Sequence, residues 1–112
     1  MISNLALLRH AFPRTGMAAA LLASTLVAAP AAAASVSNGS TLYRTHCAMC
    51  HGANGDPVMP GAPNFRRLES LMRPDQQLVM AIRNGKGAMP GFFGILRDRD
   101  ILDVVAYLRT LS

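Results

Sequence analysis

Cys47, Ala48, Met49, Cys50 and His51 follow one another directly, with Gly52 behind them, and no other stretch constrains this chain as tightly. Two cysteines with two residues between them and an adjoining histidine match the signature of c-type haem attachment, in which both sulfurs bond the porphyrin and the imidazole ligates its iron. The spacing has a mechanical reason. On one helical turn, positions i and i+3 share a face, so both thiols reach one edge of a macrocycle while the next residue brings its ring beneath the metal. A fold built on this pentad must enclose a large, flat cofactor.

The same cysteine spacing also serves redox-active disulfides and zinc sites. A zinc site needs further ligands, but the chain holds only these two cysteines and, besides His51, only His10 and His46. A thioredoxin-like disulfide expects a strand before the motif and alternating strands and helices after it, and no strand pattern is present. Haem attachment is the reading that the rest of the chain supports.

At 112 residues there is room for one small domain. The first third reads as a secretory signal peptide over residues 1–34. Arg9, His10 and Arg14 form a basic region, Met17 to Ala29 an apolar one, and Ala32 Ala33 Ala34 offers the small residues at which a signal peptidase cuts. The apolar segment is shorter than the ~20 residues a membrane span requires, and Pro30 ends it. Cleavage after Ala34 leaves 78 of the 112 residues as the mature domain, 35–112. Export implies the periplasm, where an unprotected thiol pair tends to oxidise, so a lone pair engaged by haem suits that compartment.

Such a short domain has a thin core, and a buried porphyrin with two covalent tethers supplies a staple. The formal charge of +5 falls to +3 without the leader, nine basic residues against six acidic. Two haem propionates lower it further, so the basic balance does not imply nucleic-acid binding.

Along the mature chain, Ser37 to Cys50 reads as a helix that delivers the motif, capped by Ser37 or Asn38. Gly39 inside it implies fraying or a close backbone approach. Residues 52–64 are too rich in Gly, Pro and Asn for any periodic element, and form a loop that leaves Phe65 and Leu68 as apolar packing. Pro74 opens a second helix with Leu78, Val79 and Ile82 on one face, ended by Asn84 and Gly85. A glycine-rich loop, residues 85–91, precedes a third helix from about Arg99 to Leu111. Its stripe is Ile101, Val104, Val105 and Leu108, with acids at its start and Arg109 at its end. The fold class is all-α.

With His51 on one side of the iron, a thioether on the other closes the site for electron transfer, whereas an open position admits gas ligands or substrate. Met72 and Met80 read as core or surface residues of the second helix. Met59 lies only eight residues beyond His51, in the loop that wraps the histidine side. Met89, in the later loop, has the chain length to reach the opposite face and is the expected ligand. His46 is expected to have no ligand role. Arg66, Arg67, Arg83 and Lys86 are candidates to rim the haem edge and steer an acidic partner.

These features together resemble a small class I bacterial cytochrome c over the whole mature chain. The matching residues are Gly39 and Tyr43, Cys47 to Gly52, Ala62 Pro63 Asn64 Phe65, Ile82 with Gly85, Met89 Pro90, and Val104 to Leu108 with Tyr107. The resemblance implies a cytochrome c fold of three or more short helices and long loops around a single covalent haem c. It implies that first and last helices cross with Gly39 against the face of Val104 and Tyr107, and that the Pro63 carbonyl orients the His51 ring. Arg97 departs from the Ser or Thr cap of many relatives, leaving Asp98 or Asp100 to cap the last helix.

The expected function is a periplasmic one-electron carrier that serves redox partner proteins and makes or breaks no substrate bond. The alternatives are a tightly held electron-transfer subunit of a periplasmic dehydrogenase or oxidase, and a gas-binding sensor or small peroxidase.

Overall fold

The computed structural model describes residues 31–112. The basic and apolar parts of the expected leader, Arg9 to Ala29, lie outside the described residues. Five helices follow in order: α1 Val36–His46, α2 Ala48–His51, α3 Leu68–Leu71, α4 Asp75–Asn84 and α5 Asp98–Leu108. No strand occurs among the described residues, and the only β pairings there are single bridges, Lys86 to Met89 and Phe93 to Leu96.

The helix expected to run from Ser37 to Cys50 divides at Cys47, where φ is −117° and α2 begins on a new axis turn. Its cap is Ser35, whose hydroxyl accepts from the Asn38 N–H at 3.2 Å. Asn38 does not cap, because its own amide is engaged with Asp103 at 2.8 Å.

α1 and α5 form the main helix pair, and Gly39 is the point of closest approach. A Cβ there would stand 1.9 Å from the Asp103 carbonyl oxygen and 3.0 Å from Tyr107 Cβ. Only a residue without a side chain lets the two backbones meet. The contact is with Asp103 and Tyr107, one step along from the expected Val104. Ile101, Val104, Val105 and Leu108 are buried as their spacing requires, together with Tyr43, Leu71, Leu78, Ile82 and Phe92.

Two local expectations need correction. Leu68 is exposed, because the chain forms the short α3 there and buries Leu71 in its place. α5 ends at Leu108, short of Leu111, since the Thr110 N–H and hydroxyl both return to the Tyr107 carbonyl. Arg109 leaves the helix axis to donate to Leu71 and Arg73 carbonyls and to pair with Asp75 at 2.6 Å, tying the α3–α4 turn to the end of α5. At the start of α5 the Asp100 carboxylate accepts from the Arg97 N–H at 3.2 Å and from its guanidinium at 2.8 Å. Asp100 thus supplies the cap that Arg97, which has no acceptor, cannot.

Candidate haem site

The motif residues are fixed by local bonds before any cofactor is considered. The His51 N–H donates to the Cys47 carbonyl at 2.9 Å, which closes α2 and sets both thiols one turn apart. Gly52 follows with φ of +78°, and a Cβ there would strike the Asp56 carbonyl oxygen, so the chain can turn sharply away only with glycine. The fully buried Tyr43 reaches across from α1 and its hydroxyl donates to the Gly52 carbonyl at 2.7 Å and the His51 carbonyl at 3.2 Å. Burial, then the neighbouring Cys47 and Tyr107, push the Tyr43 phenol up to about 12, so it remains a donor.

The His51 ring is buried and stacks on Phe65, with centroids 4.6 Å apart and planes at 22°. Burial pushes its pKa below the ordinary histidine range, partly offset by the Pro63 carbonyl, so the ring is neutral. Neutral imidazole is the form that binds a metal. Nδ1 is buried without a hydrogen bond of normal geometry. The Pro63 carbonyl, from the 52–64 loop, is the acceptor that offsets the shift. Burial, then Cys50, hold the Cys47 thiol up at about 11, so it is protonated and quiet.

These residues open onto a cavity of about 770 Å³, within the ~300–1,000 Å³ range of small-molecule and cofactor pockets. Cys47, Cys50, His51, Pro63 and Met89 all line it, and the two cysteines are not bonded to each other. Phe65, Leu78, Ile82, Phe92 and Leu108 supply apolar walls from four parts of the chain. Among the described residues no three His, Cys, Asp or Glu gather as a metal cluster, so the donor set does not suit a protein-only zinc site. An apolar slot with two thiols, the neutral His51 imidazole and the Met89 thioether on its walls fits a porphyrin.

Four methionines were candidates for the second axial position. Met72 and Met80 are exposed and outside the cavity. Met59 does line it, but its N–H donates to the Cys50 carbonyl at 3.1 Å, which ties it to the motif itself. Met89 is half-buried against the core and belongs to a loop folded back on itself. Lys86 and Met89 exchange backbone bonds at 3.0 and 3.1 Å, while Phe92 and Phe93 return to the last carbonyls of α4. Gly85 faces the Met89–Gly91 backbone and Gly91 that of Arg83 and Asn84, each so closely that a side chain would not fit.

His46 is exposed, with its ring edge-on to Phe92 at 5.8 Å, and it too lines the cavity. Of the four basic residues expected at the rim only Lys86 lines the cavity. Arg83 is engaged with Asp98 at 2.9 Å and lies over the Phe93 ring, and Arg66 and Arg67 are exposed and do not line the cavity. Arg73, which periodicity did not single out, takes a place on the cavity wall together with Glu69. The signal for it was absent from the sequence, because the α3–α4 turn that carries it is shaped by Arg109 from 36 residues away.

A family model described as "Cytochrome C oxidase, cbb3-type, subunit III" matches residues 34–108, well over half of the chain. The chain belongs to this family of c-type cytochromes. It is 38% identical over 96 residues to cytochrome c6 of Thermosynechococcus vestitus, covering 82% of each chain. It is also 38% identical to that of Thermostichus vulcanus, covering 70% of this chain and 73% of the relative. Among solved structures, the KustC0563 c-type cytochrome superposes with a TM-score of 0.62 at 28% identity, covering 66% of this chain and 96% of that one. Cytochrome c6 of the diatom Phaeodactylum tricornutum gives 0.60 at 29%, covering 68% and 92%. The all-α architecture is therefore the cytochrome c fold, and this c-type cytochrome carries one covalent haem c and transfers single electrons. Its Cys47, Cys50 and His51 fit the family's attachment motif.

Proposed function

We propose that this c-type cytochrome is a periplasmic one-electron carrier whose haem is tethered by Cys47 and Cys50 and ligated by His51 and Met89, with Pro63 orienting the His51 ring. The observation that carries the reading is the placement of an imidazole, a thioether and both thiols around one apolar cavity. Haem supplies an iron that alternates between ferrous and ferric. The chain's residues do the rest: Tyr43 and Phe65 hold His51 in position, the Lys86–Met89 loop presents the thioether, and the apolar walls exclude water. A thioether ligand and a low-dielectric pocket both favour the ferrous state and raise the potential. Held by His51 and Met89, the iron would have no position open to substrate, which supports a carrier over an enzyme.

Export is part of the same reading: residues 1–34 act as a leader, and no described helix is long and apolar enough to cross a membrane. Lys86 and Arg73 at the cavity, with the net positive charge of the mature chain, favour acidic redox partners.

The test is the optical spectrum of the oxidised protein, in the red region where sulfur bound to ferric iron absorbs. Met89→Ala is expected to keep the haem attached, abolish that band and bind carbon monoxide rapidly when reduced. Met59→Ala is expected to leave the band in place. Retention of the band in Met89→Ala would refute the ligand assignment, and rapid carbon monoxide binding by the unaltered protein would favour a sensor or peroxidase.

A second reading has one specific support, the family model's description as an oxidase subunit. A permanent subunit would co-purify with its complex at high salt, whereas charge-steered docking of a diffusible carrier weakens as ionic strength rises.

A further inference from the structure

Asp103 is the most deeply buried carboxylate among the described residues, and nothing in the haem site uses it. It lies on α5 where α1 crosses. Its Oδ1 accepts from the backbone N–H of Ser35 at 2.7 Å, and Oδ2 accepts from Asn38 Nδ2 at 2.8 Å. Burial pushes the carboxyl up, but the bonds from Asn38 and Ser35 and the charge of Arg99 outweigh it and hold the group below the ordinary carboxylate range. A buried anion is therefore aimed at one particular backbone nitrogen.

That nitrogen belongs to the residue directly after Ala32 Ala33 Ala34. We propose that removal of the leader between Ala34 and Ser35 converts this amide into an ammonium that ion-pairs with Asp103, so that the hydrogen bond already joining the start of α1 to α5 becomes a salt-bridge latch only in the processed chain. The inference rests on the export reading above. In the cleavage, water is consumed, the Ala34–Ser35 amide bond breaks, Ala34 leaves as a carboxylate and the Ser35 nitrogen takes up the protons. Residues 31–34 are exposed, so the bond is open to a peptidase.

The same cut rearranges the surrounding charge. Arg99 now donates to the Ala32 carbonyl at 2.6 Å and to that of Ala33, while its Nε stands 3.5 Å from Asp103 Oδ1. Both carbonyls depart with the leader, which frees the guanidinium as the new cation arrives at the carboxylate. Asp100 on α5 is the other acid near Asp103, and it is already paired with Arg97. From the α1 side Asp103 is faced by Ser35 and the neutral Asn38. An ammonium at a helix N-terminus is opposed by the macrodipole, but that effect is diffuse and screened, whereas the bond to Asp103 is direct, charge-assisted and partly buried. The Ser35 hydroxyl keeps its capping bond throughout.

The experiment uses the holoprotein purified from the periplasmic fraction. Its intact mass and N-terminal sequence are determined, and the pH dependence of α-amine acylation is followed by peptide mapping, which separates this amine from Lys86, the sole lysine. The expected result is a chain beginning at Ser35 whose α-amine titrates at least one unit above the usual ~7.7–8.0 and reacts about tenfold more slowly at pH 7 than in Asp103→Asn. A Gly-Gly insertion between Ala34 and Ser35 moves the amine away from Asp103 and leaves α1 intact, so it is expected to restore ordinary titration whether or not Asp103→Asn folds. A chain beginning at Ser35 with an ordinary α-amine unaffected by either change would overturn the latch and leave the export reading standing. A chain cut at a different nearby bond would overturn the latch alone, and one that keeps its leader would overturn both.

Discussion

Gly39→Ala isolates the helix crossing on which the domain is built, and two effects of opposite sign compete in it. Alanine favours an α-helix over glycine by about 1 kcal/mol, so on propensity alone the change stabilises α1. Against this, the new Cβ would lie 1.9 Å from the Asp103 carbonyl oxygen, 2.5 Å from its carbon and 3.0 Å from Tyr107 Cβ. Ordinary contact begins near 3.4 Å, so the helices must part by about 1.5 Å. The obstructing atoms are backbone, which cannot rotate aside as the end of a long side chain can. Overpacking costs about 1–3 kcal/mol, and a rigid obstruction that opens the largest helix interface belongs at or above the upper end. The net expectation is a loss of about 2 kcal/mol, or roughly 8–16 °C in Tm for a domain of this size. Thermal melts of the holoprotein followed by far-ultraviolet circular dichroism measure it, with Ser37→Ala as control. Ser37 is exposed on the same helix, so the control shows propensity without a clash. A Gly39→Ala protein that melts at or above the unaltered one would refute the close-approach argument.

Tyr43→Phe removes the donor to the buried Gly52 and His51 carbonyls and is expected to cost about 1–3 kcal/mol, read as a lower denaturant midpoint with the haem still attached. Asp100 is held below its ordinary range chiefly by the hydrogen bond from Arg97. A depressed carboxyl contributes stability that is fully present above its unfolded-state value, ~3.9, and is lost as pH falls through the lower folded-state value. Arg97→Ala therefore moves the acid-unfolding midpoint to higher pH, and an unchanged midpoint in an acid titration would count against the pairing. Met89→Ala, with Met59→Ala beside it, separates the two methionines at the cavity by the loss or survival of the sulfur–iron band.

Features that depend on neighbours in sequence were legible without coordinates. The Cys47–His51 pentad declares a haem because attachment geometry is set within one helical turn, and the glycines and prolines of 52–64 and 85–91 declare loops because they act on their own backbone. The stripe of α5 and the span of α4 followed from periodicity, since each helix buries one face. Met89 is the expected ligand from its chain length beyond His51 and its place in a loop, with Met72 and Met80 assigned to the second helix, and it lines the cavity.

What tertiary structure decided depends on residues that sequence distance keeps apart. Leu68 and Leu71 look equally apolar, and only the placement of α3 buries the second. Arg73 reaches the cavity because Arg109 grips the turn that carries it, while Arg66 and Arg67 do not line it. Asn38 could have capped α1, but Asp103, 65 residues on, takes its amide and leaves the cap to Ser35. Gly39 announced a close approach without naming its partner. Local bonding is written along the chain, whereas the choice among chemically similar side chains is made by which backbones meet.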